Sequence, residues 1–207
     1  MEYWIKQIIE DKINLLNSKE ISEYMMWLEM AGDTLVEVLK SGKKILVAGN
    51  GGSAADAQHF AGEIVGRFTR ERRALPAISL CTDPSVTTCI ANDYGYSDVF
   101  SRQIEGLGTE GDCFLGISTS GNSENIINAM YSARKKKIYT IGLLGKKGGL
   151  IRDICDISLV VPSDSTPRIQ EIHTLSVHIL CEMIERKMFT TSENQRVYRH
   201  NLAEILQ

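Results

Sequence analysis

The chain has 207 residues, 43% of them hydrophobic and 24% charged, with 23 Lys+Arg against 26 Asp+Glu and a formal net charge of -3. That length suits one large domain, or one domain with an appendage, and it is enough to bury a core without disulfide or metal staples. The charge balance argues against a general nucleic-acid binder, which carries a basic excess or stripe, and no apolar run approaches the ~18 residues of a membrane helix.

Residues 1–41 read as helix, with Ile5, Ile8, Ile9, Leu16, then Met25, Leu28, Leu35 and Leu39 recurring at three- and four-residue spacing. Asn17 to Glu20 looks like a break, with Ser18 placed to cap a second helix, and Ser41-Gly42 ends it. So much apolar helix before the first strand exceeds what one sheet needs and points to a subunit interface. The same N-terminal stretch mixes acids into its apolar pattern, unlike a secretory signal. The cysteines (Cys81, Cys89, Cys113, Cys155, Cys181) are odd in number, scattered and without a C-x-x-C. A reduced, cytoplasmic protein is expected.

The pattern then changes to short apolar runs separated by helical stretches. Lys44–Ala48 is followed by a Gly-rich loop, Gly49 to Gly52, and a helix from Ser53 to near Arg70. Ala77–Cys81 precedes a helix beginning at Pro84. Phe114–Ile117 leads through Thr119–Ser123 into a helix reaching Lys137. Tyr139–Leu143 and Ile157–Val161 complete the set, and a last helix runs from Thr166 to near Met188, with Pro167 at its first turn. Continuously apolar strands alternating with helices predict an α/β three-layer α-β-α sandwich around a five-stranded parallel sheet, with an N-terminal helical extension. Residues 190–207 are polar and lose the pattern, although Leu202, Ile205 and Leu206 would suit a short docked helix.

Ligands of open parallel sheets bind beyond the carboxyl ends of the strands, and two loops there are unusual. Gly49-Asn-Gly-Gly-Ser-Ala54 opens a helix with glycines that let backbone N–H groups approach an anion. It also fits the G-x-G-x-x-A dinucleotide fingerprint, but Asp83 comes late for the acidic ribose partner. Ser118-Thr-Ser-Gly-Asn-Ser123 is rich in hydroxyls and lacks the Lys of a nucleotide P-loop. Alone it reads equally as a capped turn; beside a second Gly-rich loop, it reads as a cradle for a phosphomonoester on a small sugar. His59 and Glu63 lie four apart on one helix face, and Gln170 and His178 share the last helix. Taken singly, these are a surface i,i+4 pair and a core or interface histidine. Should the fold unite the two helices, the four would hold one divalent metal, for which zinc suits the imidazoles and carboxylate.

The segments Gly49–Phe60, Ala91–Tyr96, Phe100–Gln103, Gly116–Ser123 and Thr166–Glu171 together resemble the sugar isomerase (SIS) domain family across residues 44 to about 188. Within it they are similar to the branch that converts sedoheptulose 7-phosphate to D-glycero-D-manno-heptose 7-phosphate for bacterial heptose synthesis. The resemblance implies a flavodoxin-like sandwich, an N-terminal segment (1–42) that builds a homotetramer, a sugar-phosphate-binding core (43–189) and a tail (190–207). It implies Glu63 as base and His178 as acid. Gly51, Gly52, Ser53, Glu63, Asn92, Asp93, Ser118, Thr119, Ser120, Ser123 and Gln170 would contact the sugar phosphate. His59, Glu63, Gln170 and His178 would bind one zinc per subunit, although a Glu that ligates zinc is less basic. Some members carry Asp three residues before the Gln, where this chain has Pro167, so the sugar contact made by that Asp is either absent or supplied elsewhere, with Asp164 a candidate. No nucleic-acid or membrane partner is expected. The competing reading is a non-enzymatic tetramer that binds the replication initiator; the retention of Glu63 and His178 weighs against it.

Overall fold

The computed structural model describes residues 3–189. Two N-terminal helices, α1 (Tyr3–Leu16) and α2 (Lys19–Lys40), precede a sheet of β1 (Ile45–Gly49), β2 (Ala77–Ser79), β3 (Cys113–Ser118), β4 (Tyr139–Leu144) and β5 (Ile157–Val160). Between and after these strands lie α3 (Gly52–Val65), α4 (Pro84–Asp93), α5 (Ser101–Leu107), α6 (Glu124–Lys135), α7 (Gly149–Ile154) and α8 (Thr166–Phe189). All strand pairs are parallel, in the order β2-β1-β3-β4-β5. This is the flavodoxin-like arrangement, and its strand order reverses between β1 and β3.

Alternate strand residues feed two cores. Ile45, Val47, Leu115, Ile117 and Ile141 face α2, α3 and α8, where they meet Leu35, Phe60, Ile64, Ile172 and Leu180. Leu46, Ala48 and Phe114 face α5, α6 and α7, where they meet Ile104, Ile126, Met130 and Ile151. The inner strands β1, β3 and β4 are therefore buried on both sides, which explains their unbroken apolar runs. It also makes α3 and α8 neighbours on one face.

Several boundaries differ from the sequence reading. The helix after β1 ends at Val65, not near Arg70. Its last carbonyls are taken by the Arg72 side chain, which bonds the carbonyls of Glu63, Ile64 and Gly66. The second strand stops at Ser79, two residues early. α5 and α7, of seven and six residues, are too short to show a helical period and escape the sequence pattern. Ser18 occupies the N-cap position of α2, but its hydroxyl makes no cap bond. Gly42 does take the left-handed conformation, at φ 72°, expected past a helix end. Residues 190–207, with the anticipated helix around Leu202, Ile205 and Leu206, lie outside the described residues.

α1 buries none of its residues. Its Ile9 and Ile13 are 51% and 50% exposed, and Met25, Met26 and Met30 of α2 are also exposed. α1 is nonetheless tied down: the Arg168 guanidinium donates to the Ile8 carbonyl at 2.7 Å. Among the described residues, no helix is long and apolar enough to cross a membrane.

At the amino edge of the sheet, the Lys44 ammonium lies 2.6 Å from Asp112, which also accepts from the Lys44 and Thr109 backbone N–H groups. Burial pushes the Asp112 carboxyl up, but these donors outweigh it and hold the group below the usual carboxylate range. A folded pKa below the unfolded value of about 3.9 gives stabilisation that is complete above that pH and lost as pH falls through the folded value. Urea midpoints should therefore drop from about pH 5 downward. Asp112→Asn should flatten that drop and lower stability at neutral pH by about 1–3 kcal/mol. An unchanged acid slope would remove Asp112 from that role.

Candidate active site

The carboxyl ends of β1 and β3 sit side by side, with Gly49 opposite Ile117. The two unusual loops therefore meet at the switch point of the sheet, where open α/β sheets bind ligands. The first loop turns through Gly51, at φ 56°, and delivers Gly52 as the first residue of α3. Ser53 is buried at its base. Gly52 packs so closely on the carboxamide of Gln170 that a Cβ there would lie 2.5 Å from Nε2. That contact brings Gln170 of α8 to the first loop.

The second loop is a linked set of hydroxyls. Ser118 Oγ lies 2.8 Å from Ser123 Oγ and 3.4 Å from Ser120 Oγ, and accepts from the Gly121 N–H. Ser123 occupies the N-cap of α6 but makes no side-chain cap bond to it. The arrangement thus departs from an ordinary capped turn and leaves neutral donors gathered at a helix start. Gly121, at φ 66°, packs against the Gly148 carbonyl, and the Ile151 N–H bonds the Gly121 carbonyl at 3.0 Å. Thr119 is half-buried, with its carbonyl close to Gly145.

Side chains that sequence reading passed over join the loops. Asn50 and Asn125 exchange two amide hydrogen bonds, of 2.9 and 2.8 Å, and the Tyr96 hydroxyl donates to Asn50 Oδ1 at 2.9 Å. Asn50 lies within the first flagged loop and Asn125 two residues past the second, but their pairing spans 75 residues and leaves no periodic signal. Asn92 and Asp93 end α4 in exposed positions and bond each other at 2.8 Å. Among the described residues, no hydrogen bond joins either of them to the loops or to the histidines.

α3 and α8 bring the ionisable groups together. His59 Nε2 lies 2.8 Å from His178 Nε2, with the rings edge to face. Glu63 Oε1 lies 3.6 Å from the other His59 nitrogen, Nδ1. The Phe68 ring packs on His178 in a tilted arrangement, at 5.5 Å between centroids. Asp56, one turn before His59 and nearly buried, accepts from the Thr174 hydroxyl at 2.8 Å. Burial pushes the Asp56 carboxyl up, while Thr174 and both imidazoles pull it back. His178 is thus a partly exposed member of a polar cluster. The core histidine of this chain is His173, whose Nε2 meets the Leu144 carbonyl and which burial lowers to about 4.

Two of the four expected metal donors, His59 and His178, point their Nε2 atoms at one another. Glu63 stands behind His59, on its Nδ1, as an orienting carboxylate does in metal sites. Among the described residues, no three His, Cys, Asp or Glu side chains are yet gathered as a metal-binding group. The donor chemistry fits a zinc ion through the two imidazoles, while Glu63 stands on His59 Nδ1 and the Gln170 carboxamide packs on Gly52.

The SIS domain family model matches residues 10–145. A phosphoheptose isomerase of Sulfurimonas denitrificans is 52% identical over 190 residues, covering 92% of this chain and 93% of that protein. The chain belongs to the phosphoheptose isomerase branch of the SIS-domain family. Another member, from Pelobacter propionicus, is 59% identical over 155 residues, covering 75% of this chain and 82% of its own. The solved phosphoheptose isomerase of Neisseria gonorrhoeae superposes with a TM-score of 0.81 at 40% identity, covering 87% of this chain and 96% of that one. Membership accounts for the five-stranded sheet and for the N-terminal helices.

Gly121→Ala tests the second loop. The positive φ and the Gly148 carbonyl leave no room for a methyl group, so about 1–3 kcal/mol of strain is expected there. Titration calorimetry should show affinity for a phosphorylated sugar falling about tenfold. Unaltered affinity in the folded variant would show that the loop does not carry the ligand.

Proposed function

We propose that the chain is an aldose–ketose isomerase that converts sedoheptulose 7-phosphate to D-glycero-D-manno-heptose 7-phosphate, which feeds bacterial heptose synthesis for lipopolysaccharide or capsule. The observation that carries this reading is that His59 contacts both Glu63 and His178, gathering the three from two helices, in a fold whose two anion-adapted loops meet at one sheet edge. The names of its relatives agree with it.

The phosphate would rest on Ser118, Thr119, Ser120 and Ser123 and on the backbone of Gly51 to Ser53. Anchored there, the open-chain sugar would extend toward α3 and α8, with Gln170 along its side and Asn92 and Asp93 meeting its hydroxyls. Isomerisation moves one hydrogen between adjacent carbons. Glu63 takes a proton from C1 of the ketose while His178 gives one to the C2 oxygen, producing the enediol. His178 then takes the proton of the C1 hydroxyl as Glu63 returns its proton to C2, and the aldose forms with no net gain or loss. A carboxylate base and an imidazole acid are the groups used in other enediol chemistry. His59 orients the pair through its contacts with both.

We further infer that His59 and His178, joined by Glu63 and Gln170, hold one zinc ion per subunit. When bound, it would supply Lewis-acid polarisation of the sugar carbonyl. The facing Nε2 atoms support this. A homotetramer in the cytoplasm is the assembly we propose. Its support is the exposed apolar stripe on α1 and α2, a surface that a lone protomer leaves in water.

Glu63→Gln should lower kcat for heptose 7-phosphate formation by about 100- to 10,000-fold with little change in KM; equal turnover would sink the assigned base. Metal analysis of the purified protein should find zinc that His59→Ala loses, and metal-free protein with full activity would remove the metal from the reading. Light scattering should give a tetramer that Ile9→Glu dissociates, and a monomeric wild type would end the assembly proposal.

A further inference from the structure

Glu63 and His178 belong to different helices, and something must fix the separation between them. Beyond the site, Glu185 lies on α8 two turns after His178 and is fully buried. Its carboxylate accepts from the Phe68, Thr69 and Arg70 backbone N–H groups at 2.9, 3.0 and 3.0 Å, from the Thr69 hydroxyl at 3.1 Å and from Arg72 Nε at 3.0 Å. The Arg72 side chain is equally buried, at 1% exposure. Its remaining donors reach back to α3: Nη2 bonds the Glu63 carbonyl at 2.7 Å, and Nη1 bonds the carbonyls of Ile64, Gly66 and Arg73 at 2.9, 3.2 and 3.1 Å.

One ion pair therefore holds both helices. Arg72 closes the end of α3 at Glu63 itself, and Glu185 closes the following loop onto α8. The same loop carries Phe68, whose ring packs on the His178 imidazole. A buried charge pair is a poor means of adding stability, because its desolvation offsets the attraction. The planar guanidinium, with Nε on Glu185 and Nη1 and Nη2 on the carbonyls that end α3, is well suited to specifying one arrangement.

We propose that the Arg72–Glu185 pair and Phe68 are positioning residues that set Glu63 against His178. This rests on the isomerase reading. None of the three touches the phosphate loops, so the pair acts on the chemical step rather than on substrate capture. Lysine at position 72 keeps the charge but cannot reproduce the fork. Leucine at 68 keeps the apolar contact with the loop but loses the flat face against the imidazole.

The test is steady-state formation of heptose 7-phosphate from sedoheptulose 7-phosphate by wild type, Glu185→Gln, Arg72→Lys and Phe68→Leu, each as the full-length protein and checked for folding by circular dichroism. Misplacement of reacting groups by about 1 Å costs on the order of 100-fold. We expect kcat to fall about 10- to 100-fold in the folded variants, with KM within about twofold of wild type. If Glu185→Gln does not fold, Arg72→Lys and Phe68→Leu decide the matter. Wild-type kcat in the folded variants overturns the proposal, as does a loss confined to KM. An inactive wild type overturns the isomerase reading and this proposal with it.

Discussion

The pairing of β1 with β3 is the constraint on which the site depends. The chain leaves β1 to form β2 on one side and returns to form β3 on the other. The helices that follow β1 and β3 therefore diverge to opposite faces of the sheet, and their first turns open a crevice between them. Asn50 and Asn125 span it with two amide bonds. A glycine loop and a serine loop, separated by more than sixty residues in sequence, become the two walls of one pocket. Neither would be sufficient alone.

The same topology distributes the chemistry. α3 lies on the face shared with α2 and α8, so its polar side meets the polar side of α8 over the sheet edge. The apolar residues of both helices, such as Phe60, Ile64, Val177 and Leu180, pack into one core. The position of the histidines is a consequence of that packing. The anion problem is solved without a basic surface, consistent with a net charge of -3. In the proposed reading, serine hydroxyls, backbone N–H groups and helix starts provide neutral donors for the phosphate, and the charged groups Glu63 and His178 serve the reacting end.

The strands and the long helices were legible because burial on both faces leaves unbroken apolar runs, and because α2 and α8 are long enough to show a period. The short helices α5 and α7 offered too few turns. The end of α3 was misplaced for a different reason. Residues 66–70 carry no local break beyond Gly66; the helix stops because Arg72, buried by its pairing with Glu185, takes its final carbonyls. Tertiary contact decides that boundary, and no local pattern reports it. The site was legible as types and spacings, His59 with Glu63 and the two loops. The His59–His178 contact, the Asn50–Asn125 bridge and the Thr174–Asp56 bond each join residues far apart in sequence. They became visible only when the helices were placed.

The contact between Gly121 and Gly148 carries a consequence for how this fold can diversify. Surface loops ordinarily absorb insertions freely. Here the turn after β3 and the turn before α7 touch backbone to backbone, with the Leu150 N–H also bound to the Asn122 side chain. Lengthening either turn by one residue would displace the other, and with it the serine wall. These two loops are therefore tied to a common length, and new specificity would have to arise elsewhere on the rim.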